Sequence, residues 1–322
     1  MELSIVIPVY NVASYIRRCL HSIYSQNVSE EKFEVIIVDD ETPDNSIEIA
    51  LCYLSGKTNY RIIHQKNRGL GGARNTGLRH AIGGYIWFVD SDDEIVAGTL
   101  ENILNLVSES RAEILNYKYI KNNSPLFNNI PSCTALESSG IELILKGKML
   151  TTVWNNIYKK EYLIENSLFF KEKFKHEDSE FNMRACSKAK KIAVIDLPIY
   201  NYYTTNSGSI MNNIGLQNQI DLMGYLSTAD SLMKTEIITI PGAYDAISRY
   251  IGLSLAMLFS QSEYLTTKDY TSFIRKLKKN RSRYLEYIHR LPWKSQLVLL
   301  MQLYFPLSIS YIQNIIRKRA HK

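Results

Sequence analysis

The chain is poor in the residues that staple or anchor a protein. Its four cysteines, Cys19, Cys52, Cys133 and Cys186, stand far apart with no C-x-x-C pair. That spacing excludes a disulfide scaffold and a cysteine-ligated zinc site. No stretch stays apolar for the length that a bilayer requires. The longest, Leu297–Leu307, is interrupted at Gln302 and Pro306, and Ser308, Ser310 and Gln313 follow. Leu3–Pro8 reads as a strand and not as a cleavable leader, and with the unpaired cysteines this gives the expectation of a reducing cytosol. A dinucleotide fingerprint is also missing. Reading G-x-G-x-x-G from Gly69 puts Arg74 where the third glycine belongs, and the segment follows the third strand signal instead of the first.

Acids are scarce in one region only. Lys268–Lys322 holds 13 Lys/Arg against Asp269 and Glu286, a net +11 within a chain of +6, so the remainder carries −5. The basic residues surround the apolar stretch at 297–307. That mixture suits an anionic membrane surface better than nucleic acid, although a helical pair with a solvated basic face explains it equally well. No nucleic-acid partner is expected, and a homo-oligomer is compatible with the sequence.

What the chain does have is order in its first half. Strand signals at Ser4–Val9, Glu34–Val38, Arg61–His64 and Tyr85–Val89 alternate with helical periodicity. The helices are expected to begin near Asn11 or Ser14, near Asn45 and after Gly69–Gly72. Glu94–Ser108 reads as a further helix and Ile114–Tyr119 as a strand. The alternation predicts an α/β fold with a mostly parallel, doubly wound sheet flanked by helices. Asn122–Ser139 reads as a surface loop, Gly140–Leu145 as a helix, and Ile192–Tyr203 as two strands broken at Pro198. Beyond about Met211 the alternation gives way to helical patterns such as Tyr250–Phe259 and Phe273–Leu285. We therefore expect a domain over 1–211, divided near 120, and a helical C-terminal region over 212–322 with the basic tail.

Four groups carry chemistry. The apolar run Tyr85-Ile86-Trp87-Phe88-Val89 ends in Asp90-Ser91-Asp92-Asp93. Acids crowded at the carboxyl end of a strand repel each other unless a cation joins them. A hard ion such as Mg²⁺ or Mn²⁺ is one answer; a solvated turn with Asp92 or Asp93 capping the next helix is the other. Pro8 and Tyr10 close the first strand, where Pro8 shapes the exit and Tyr10 is either a platform for a planar base or a core residue. Asp39 ends the second strand and can accept from an imide N–H, whereas Asp44 suits a helix cap. Arg74 follows the glycines and is available to a diphosphate. Glu177-Asp178 opens a helix, either as a general base pair or as acids favoured by the helix dipole.

In this order, Ser4–Asn11, Asp39-Asp40, Ala73-Arg74-Asn75-Thr76-Gly77, Asp90-Ser91-Asp92-Asp93 and Glu177-Asp178 closely resemble the family 2 glycosyltransferases. Val153–Lys159 looks like the segment before the acidic pair in members that build bacterial surface polysaccharides. The resemblance spans residues 1–100 and 151–211. It implies a GT-A fold, a nucleotide-sugar donor and an inverting transfer to a saccharide hydroxyl; the basic-apolar tail adds the expectation of a lipid-linked acceptor on the cytosolic membrane face. By the same resemblance, Tyr10 and Asp39 would bind the base, usually uracil, and Arg74 the nucleotide. Asp90 would contact the ribose or metal shell, Asp92 would be the main ligand of Mn²⁺ or Mg²⁺, and Asp93 would support the donor sugar or that shell. Asp178 would be the general base, Glu177 an acceptor-binding or reserve acid, and Trp154 an acceptor platform or a core residue. The chain departs from the family where Glu41-Thr42-Pro43 replaces Gly-Ser-Thr, and where 202–210 lacks the Arg or His that meets the diphosphate. A sugar nucleotidyltransferase would need a basic glycine-rich loop after the first strand, and Val9–Ala13 is not one. A silent nucleotide-sugar-binding scaffold would have no use for Asp178.

Overall fold

A computed structural model describes residues 1–122, 135–146, 152–204 and 281–289, with isolated positions between 226 and 304. The chain divides into two compact units, Met1–Leu143 with Lys148–Ser209, and Ile144–Gly147 with Ile210–Lys322. In the second unit the described residues include a helix at Arg281–Ile288 that buries Tyr284, Tyr287 and Ile288. Most of the Tyr250–Phe259 and Phe273–Leu285 patterns, and of the basic tail, lies outside the described residues. Among those that are described, no helix is long and apolar enough to cross a membrane.

The first unit is built on one sheet in the order β3 (Tyr60–His64), β2 (Phe33–Asp39), β1 (Leu3–Val9), β4 (Tyr85–Phe88), β8 (Asn156–Lys159), β6 (Ile114–Lys121), β9 (Ile192–Tyr202), β5 (Glu94–Ile95). A further strand, β7 (Ala135–Ser138), pairs with β9. Strands β1 to β4 are mutually parallel, with Val9 opposite Asp39. The apolar runs of the inner strands are buried on both faces, every residue of β1 and β4 among them, whereas β3 at the sheet edge is only partly covered. Each fully buried Ile or Val contributes about 1.5–3 kcal/mol over its exposed state. Parallel pairing needs crossovers, and α1 (Ile16–Tyr24), α2 (Ser46–Tyr53) and α3 (Gly69–His80) supply them. All four strands therefore end at the same edge, and Tyr10, Asp39 and Asp90 follow there.

The second half of the sheet is mixed. Strand β8 is antiparallel to β4 and β6, β6 is parallel to β9, and β5 and β7 run against β9. Its helices are α4 (Leu100–Glu109), α5 (Gly140–Leu145), α6 (Lys160–Glu165) and α7 (Glu177–Lys188).

Several expectations change here. Residues 94–108 are not one helix. Glu94–Ile95 pair with Tyr200 and Asn201, and the helix starts only at Leu100 behind Thr99, so Asp92 and Asp93 cap nothing. Part of the expected loop at 122–139 is strand β7. Pro198 does not split β9. The ladder with β6 shifts register around Lys118, opposite Pro198, and a bulge lets the strand continue past a residue that cannot donate. The glycines Gly69, Gly71 and Gly72 lie inside α3 instead of preceding it. Gly71 is there because a Cβ would stand 2.5 Å from the Lys171 carbonyl oxygen, so the helix and the strap before α7 meet backbone to backbone.

Candidate active site

At the carboxyl end of β1, Tyr10 is 52% exposed beyond the buried Pro8. The loops after β1 and β2 are tied together. The Asn11 N–H donates to Thr42 Oγ1 at 2.8 Å, and the Ala13 N–H donates to Asp44 Oδ2 at 2.8 Å. Asp44 also accepts from the Thr42 hydroxyl and the Ser46 N–H, at 2.7 and 3.2 Å. Partial burial opposes ionisation of Asp44, yet its bonds from Ser46, Thr42 and Ala13 lower its pKa. Asp44 thus joins two loops in addition to meeting the start of α2. Asp39 accepts the Thr42 N–H at 2.8 Å on Oδ1 and lies 2.8 Å from His64 Nδ1 on Oδ2. Asp40 is buried and accepts the Arg68 N–H at 2.8 Å and Gln65 Nε2 at 2.6 Å, which fixes the start of α3. Glu41 has φ 62°. A β-carbon costs about 1–2 kcal/mol in that left-handed conformation, which explains why the resembling family favours glycine at this place.

The second cluster is centred on Arg74, 1% exposed within α3. Its Nη2 donates to Asp90 Oδ1 at 2.8 Å, and its Nη1 meets Glu177 Oε1 at 3.1 Å and Asp178 Oδ1. One guanidinium therefore gathers carboxylates from the end of β4 and the start of α7. Its Nε is buried with no hydrogen-bond partner. Burial alone would lower the Arg74 pKa, but Asp178, Asp90 and Glu177 together raise it. The expectation placed Arg74 against a nucleotide; within the protein its Nη1 and Nη2 meet the three acids.

The strap before α7 is held by the neighbouring residue. The Asn75 side chain accepts the Phe170 N–H and donates to the Phe170 carbonyl, both at 2.8 Å. Arg68 pairs with Glu172, with Nε to Oε2 at 2.8 Å. Asp178 Oδ2 accepts the Val153 N–H at 3.2 Å, so two elements orient this carboxylate. Burial, then Asp178, push the Glu177 carboxyl up to about 8 against the pull of Arg74. Desolvation pushes Asp90 up to about 6, with Arg74 opposing and Asp178 and Asp92 adding to the rise.

The acidic turn after β4 is read by β9. The Tyr200 hydroxyl donates to Asp93 Oδ2 at 2.9 Å and accepts the Asp90 N–H at 3.1 Å, and the Tyr203 N–H donates to Asp93 Oδ1 at 2.8 Å. Burial, then Asp90 and Asp92, push Asp93 up to about 8. Asp92 is partly exposed, and its carbonyl accepts Arg18 Nη2 at 2.7 Å. The side chains of the turn offer oxygen donors only, and their mutual repulsion is what a cation would relieve, so the donor set fits a hard divalent ion. Among the described residues no three His, Cys, Asp or Glu form a complete cage. Such an ion would take one or two carboxylates here and its other ligands from substrate and water.

Trp154 is a core residue, 6% exposed. Its ring stacks against Tyr200 at 4.8 Å and Tyr202 at 5.1 Å, with Tyr119 edge-on at 4.9 Å. Of these, Tyr119 is 48% exposed. The acidic turn and the acidic pair are thus brought together through Arg74, and Trp154 lies behind Tyr119. Sequence reasoning missed Arg18, Asn75, Tyr200 and Tyr203. Only the Arg-Asn adjacency at 74–75 carried a local signal.

A parallel first half, a mixed second half and acids gathered at the sheet edge define a GT-A architecture. The model for "Glycosyl transferase family 2" matches residues 4–172, and the chain belongs to that family. It is 32% identical over 212 residues to the uncharacterized glycosyltransferase EpsJ of Bacillus subtilis (strain 168), covering 62% of this chain and 60% of that protein. It is 30% identical over 217 residues to the poly(ribitol-phosphate) beta-N-acetylglucosaminyltransferase TarS of Staphylococcus aureus (strain Mu50), covering 66% of this chain and 37% of that protein. The match thus spans about 60% or less of these relatives' length. In fold it matches the crystal structure of S. aureus TarS 1-349 in complex with UDP-GlcNAc, with a TM-score of 0.71, 23% identity, and coverage of 98% of this chain and 88% of that one.

Proposed function

We propose that this chain is an inverting glycosyltransferase that moves a sugar from a UDP-sugar to a hydroxyl of a saccharide or polyol-phosphate acceptor in bacterial surface polymer synthesis. The observation that carries the reading is the Arg74 cluster, which joins Asp90 at the end of β4 to Glu177-Asp178 at the start of α7. The TarS complex with UDP-GlcNAc and the poly(ribitol-phosphate) relatives support the donor and acceptor classes.

In this reading Tyr10, beyond Pro8, lies against the base, and Asp39 accepts its imide N–H. Asp92, with Asp90, holds Mn²⁺ or Mg²⁺; the ion, when bound, neutralises charge that develops on the diphosphate. Asp93, buried and held by Tyr200 and Tyr203, supports the turn. Arg74 sets the distance between donor and base. Asp178 accepts the acceptor hydroxyl proton as the new C–O bond forms and the anomeric bond to the diphosphate breaks, the electron pair leaving with the diphosphate. One displacement inverts the anomeric carbon. Glu177, whose carboxyl burial and Asp178 push up, acts as a hydrogen-bonding neighbour. Tyr119 and Tyr202, over Trp154, offer the aromatic surface for an acceptor sugar.

Residues 1–211 form the catalytic domain in this proposal, with 1–120 for the donor and 121–211 for the acceptor. Residues 268–322 hold the chain peripherally on the anionic cytosolic face, near a lipid-linked acceptor. Binding to anionic vesicles that survives deletion of 290–322 would remove the membrane clause.

A donor screen tests the activity. The protein is incubated with UDP-, GDP- and dTDP-sugars, with Mn²⁺ or EDTA, together with saccharide and poly(ribitol-phosphate) acceptors. Release of UDP that requires the metal is expected. Failure to release or to bind any nucleotide sugar would overturn the reading.

A further inference from the structure

The acidic turn is closed by a ring of contacts to which no role has been given. Arg18, on α1, donates through Nη2 to the Asp92 carbonyl at 2.7 Å, and its Nε faces Glu94 Oε1 at 3.2 Å. Its guanidinium carbon lies 3.8 Å from the centre of the Tyr203 ring. Tyr203 returns to the turn twice, through its hydroxyl to Glu94 Oε2 at 2.6 Å and through its N–H to Asp93 Oδ1 at 2.8 Å. The ring runs from Arg18 through Asp92 and Asp93 to Tyr203, then through Glu94 back to Arg18.

Glu94 meets the charge of Arg18, so what Arg18 adds at Asp92 is direction. A fixed carbonyl restricts the backbone from which the Asp92 carboxylate leaves. The planar fork lets one side chain hold Asp92 and Glu94 while stacking on Tyr203, a combination that an ammonium cannot reproduce. Residues outside a ligand set that orient its members typically change metal affinity by about 10–100-fold when removed.

We infer that Arg18 is a positioning residue for the divalent ion, acting through the Asp92 backbone with Tyr203 and Glu94 as its brace. The inference rests on the proposed metal role of Asp92.

The test is Mn²⁺ binding in the presence of UDP, read from the loss of the free-ion electron paramagnetic resonance signal. Arg18→Ala should raise the apparent Mn²⁺ dissociation constant by about tenfold or more. Arg18→Lys should fall between that variant and the wild type, and affinity for UDP without metal should stay the same. Tyr203→Phe, which keeps the ring and loses the bond to Glu94, should shift the constant less. A folded Arg18→Ala protein with wild-type Mn²⁺ affinity would overturn the inference. Should Arg18→Ala fail to fold, Tyr203→Phe decides, and unchanged affinity there overturns it equally. A wild-type protein that binds UDP but no Mn²⁺ would remove the metal role of Asp92 and this inference with it, leaving the nucleotide site standing.

Discussion

Helix α7 takes part in two buried arginine–carboxylate sites that differ in how their charge is closed. Glu180, fully buried, receives Arg184 in a fork, with Nε to Oε1 at 2.9 Å and Nη2 to Oε2 at 2.8 Å. The Phe169 carbonyl takes a further Arg184 bond at 2.6 Å, and Lys171 lies 3.8 Å from Glu180. Every charge there has its answer within the protein. One turn earlier, among the described residues, Arg74 is the cation that faces Asp90, Glu177 and Asp178, and its Nε finds no partner there. Burial first, and the neighbouring acids after it, push two of these acids up to about 6 and about 8. Buried pairs that stabilise a fold are closed by geometry and further bonds. A cluster left with excess negative charge and an orphan donor calls for a further explanation, which a ligand or a proton supplies.

The largest expected effect comes from exchanging the two arginines for lysine. An ammonium cannot span three carboxylates from two elements, so Arg74→Lys should lower turnover by about a hundredfold, the scale of an ångström-level misplacement. Arg184→Lys should leave turnover within a few-fold and reduce stability by about 1–3 kcal/mol through lost charged hydrogen bonds. Equal loss of turnover in both variants, at temperatures where both are folded, would erase the distinction between the sites.

Titration sharpens the comparison. The Glu177 carboxyl sits at about 8 in the fold against 4.5 ordinarily, so the folded state holds a proton across that window. Its contribution to stability is complete below the lower value and is lost as pH rises through the upper one. Without metal or nucleotide, the wild-type melting temperature should therefore fall from pH 5 to pH 8 more steeply than that of Glu177→Gln, which cannot ionise. Parallel curves would show that Glu177 carries no such proton.

The smallest effect tests the frame that delivers α7 to Arg74. Gly71→Ala places a Cβ 2.5 Å from the Lys171 carbonyl. The strap must move, at a cost of about 1–3 kcal/mol. A chemical denaturation midpoint unchanged from wild type would mean that the helix and strap are not in tight contact.

How far these features could be read from the sequence follows their range along the chain. Strands β1 to β4 and their crossover helices were legible because each carries its own local pattern, and the runs of β1, β2 and β4 are buried on both faces. The helix expected at Glu94–Ser108 failed at its start, because the pairing of Glu94 and Ile95 with Tyr200 and Asn201 depends on residues more than a hundred positions away. The Pro198 break failed for a related reason, since a bulge facing β6 absorbs the missing donor. Asp90, Asp92 and Glu177-Asp178 were visible as local acid clusters. Arg74 was visible as a residue, but its pairing with three of those acids was not. The bond of Tyr200 to Asp93 had no local signature, because a tyrosine in a strand looks the same whether it fills a core or reads a carboxylate, and the Tyr203 bond is made by a backbone N–H that any residue but proline carries.

The most direct test of the account is Asp178→Asn, measured for turnover with Mn²⁺ and the donor found in the screen, and for UDP binding by calorimetry on the same preparation. Asparagine keeps the size of the side chain and cannot accept the acceptor proton. Turnover should fall by on the order of 10²–10⁴ while UDP binds as in the wild type. Wild-type turnover in a folded Asp178→Asn protein would contradict the account, because the proton would then be leaving by a route that does not pass through the Arg74 cluster.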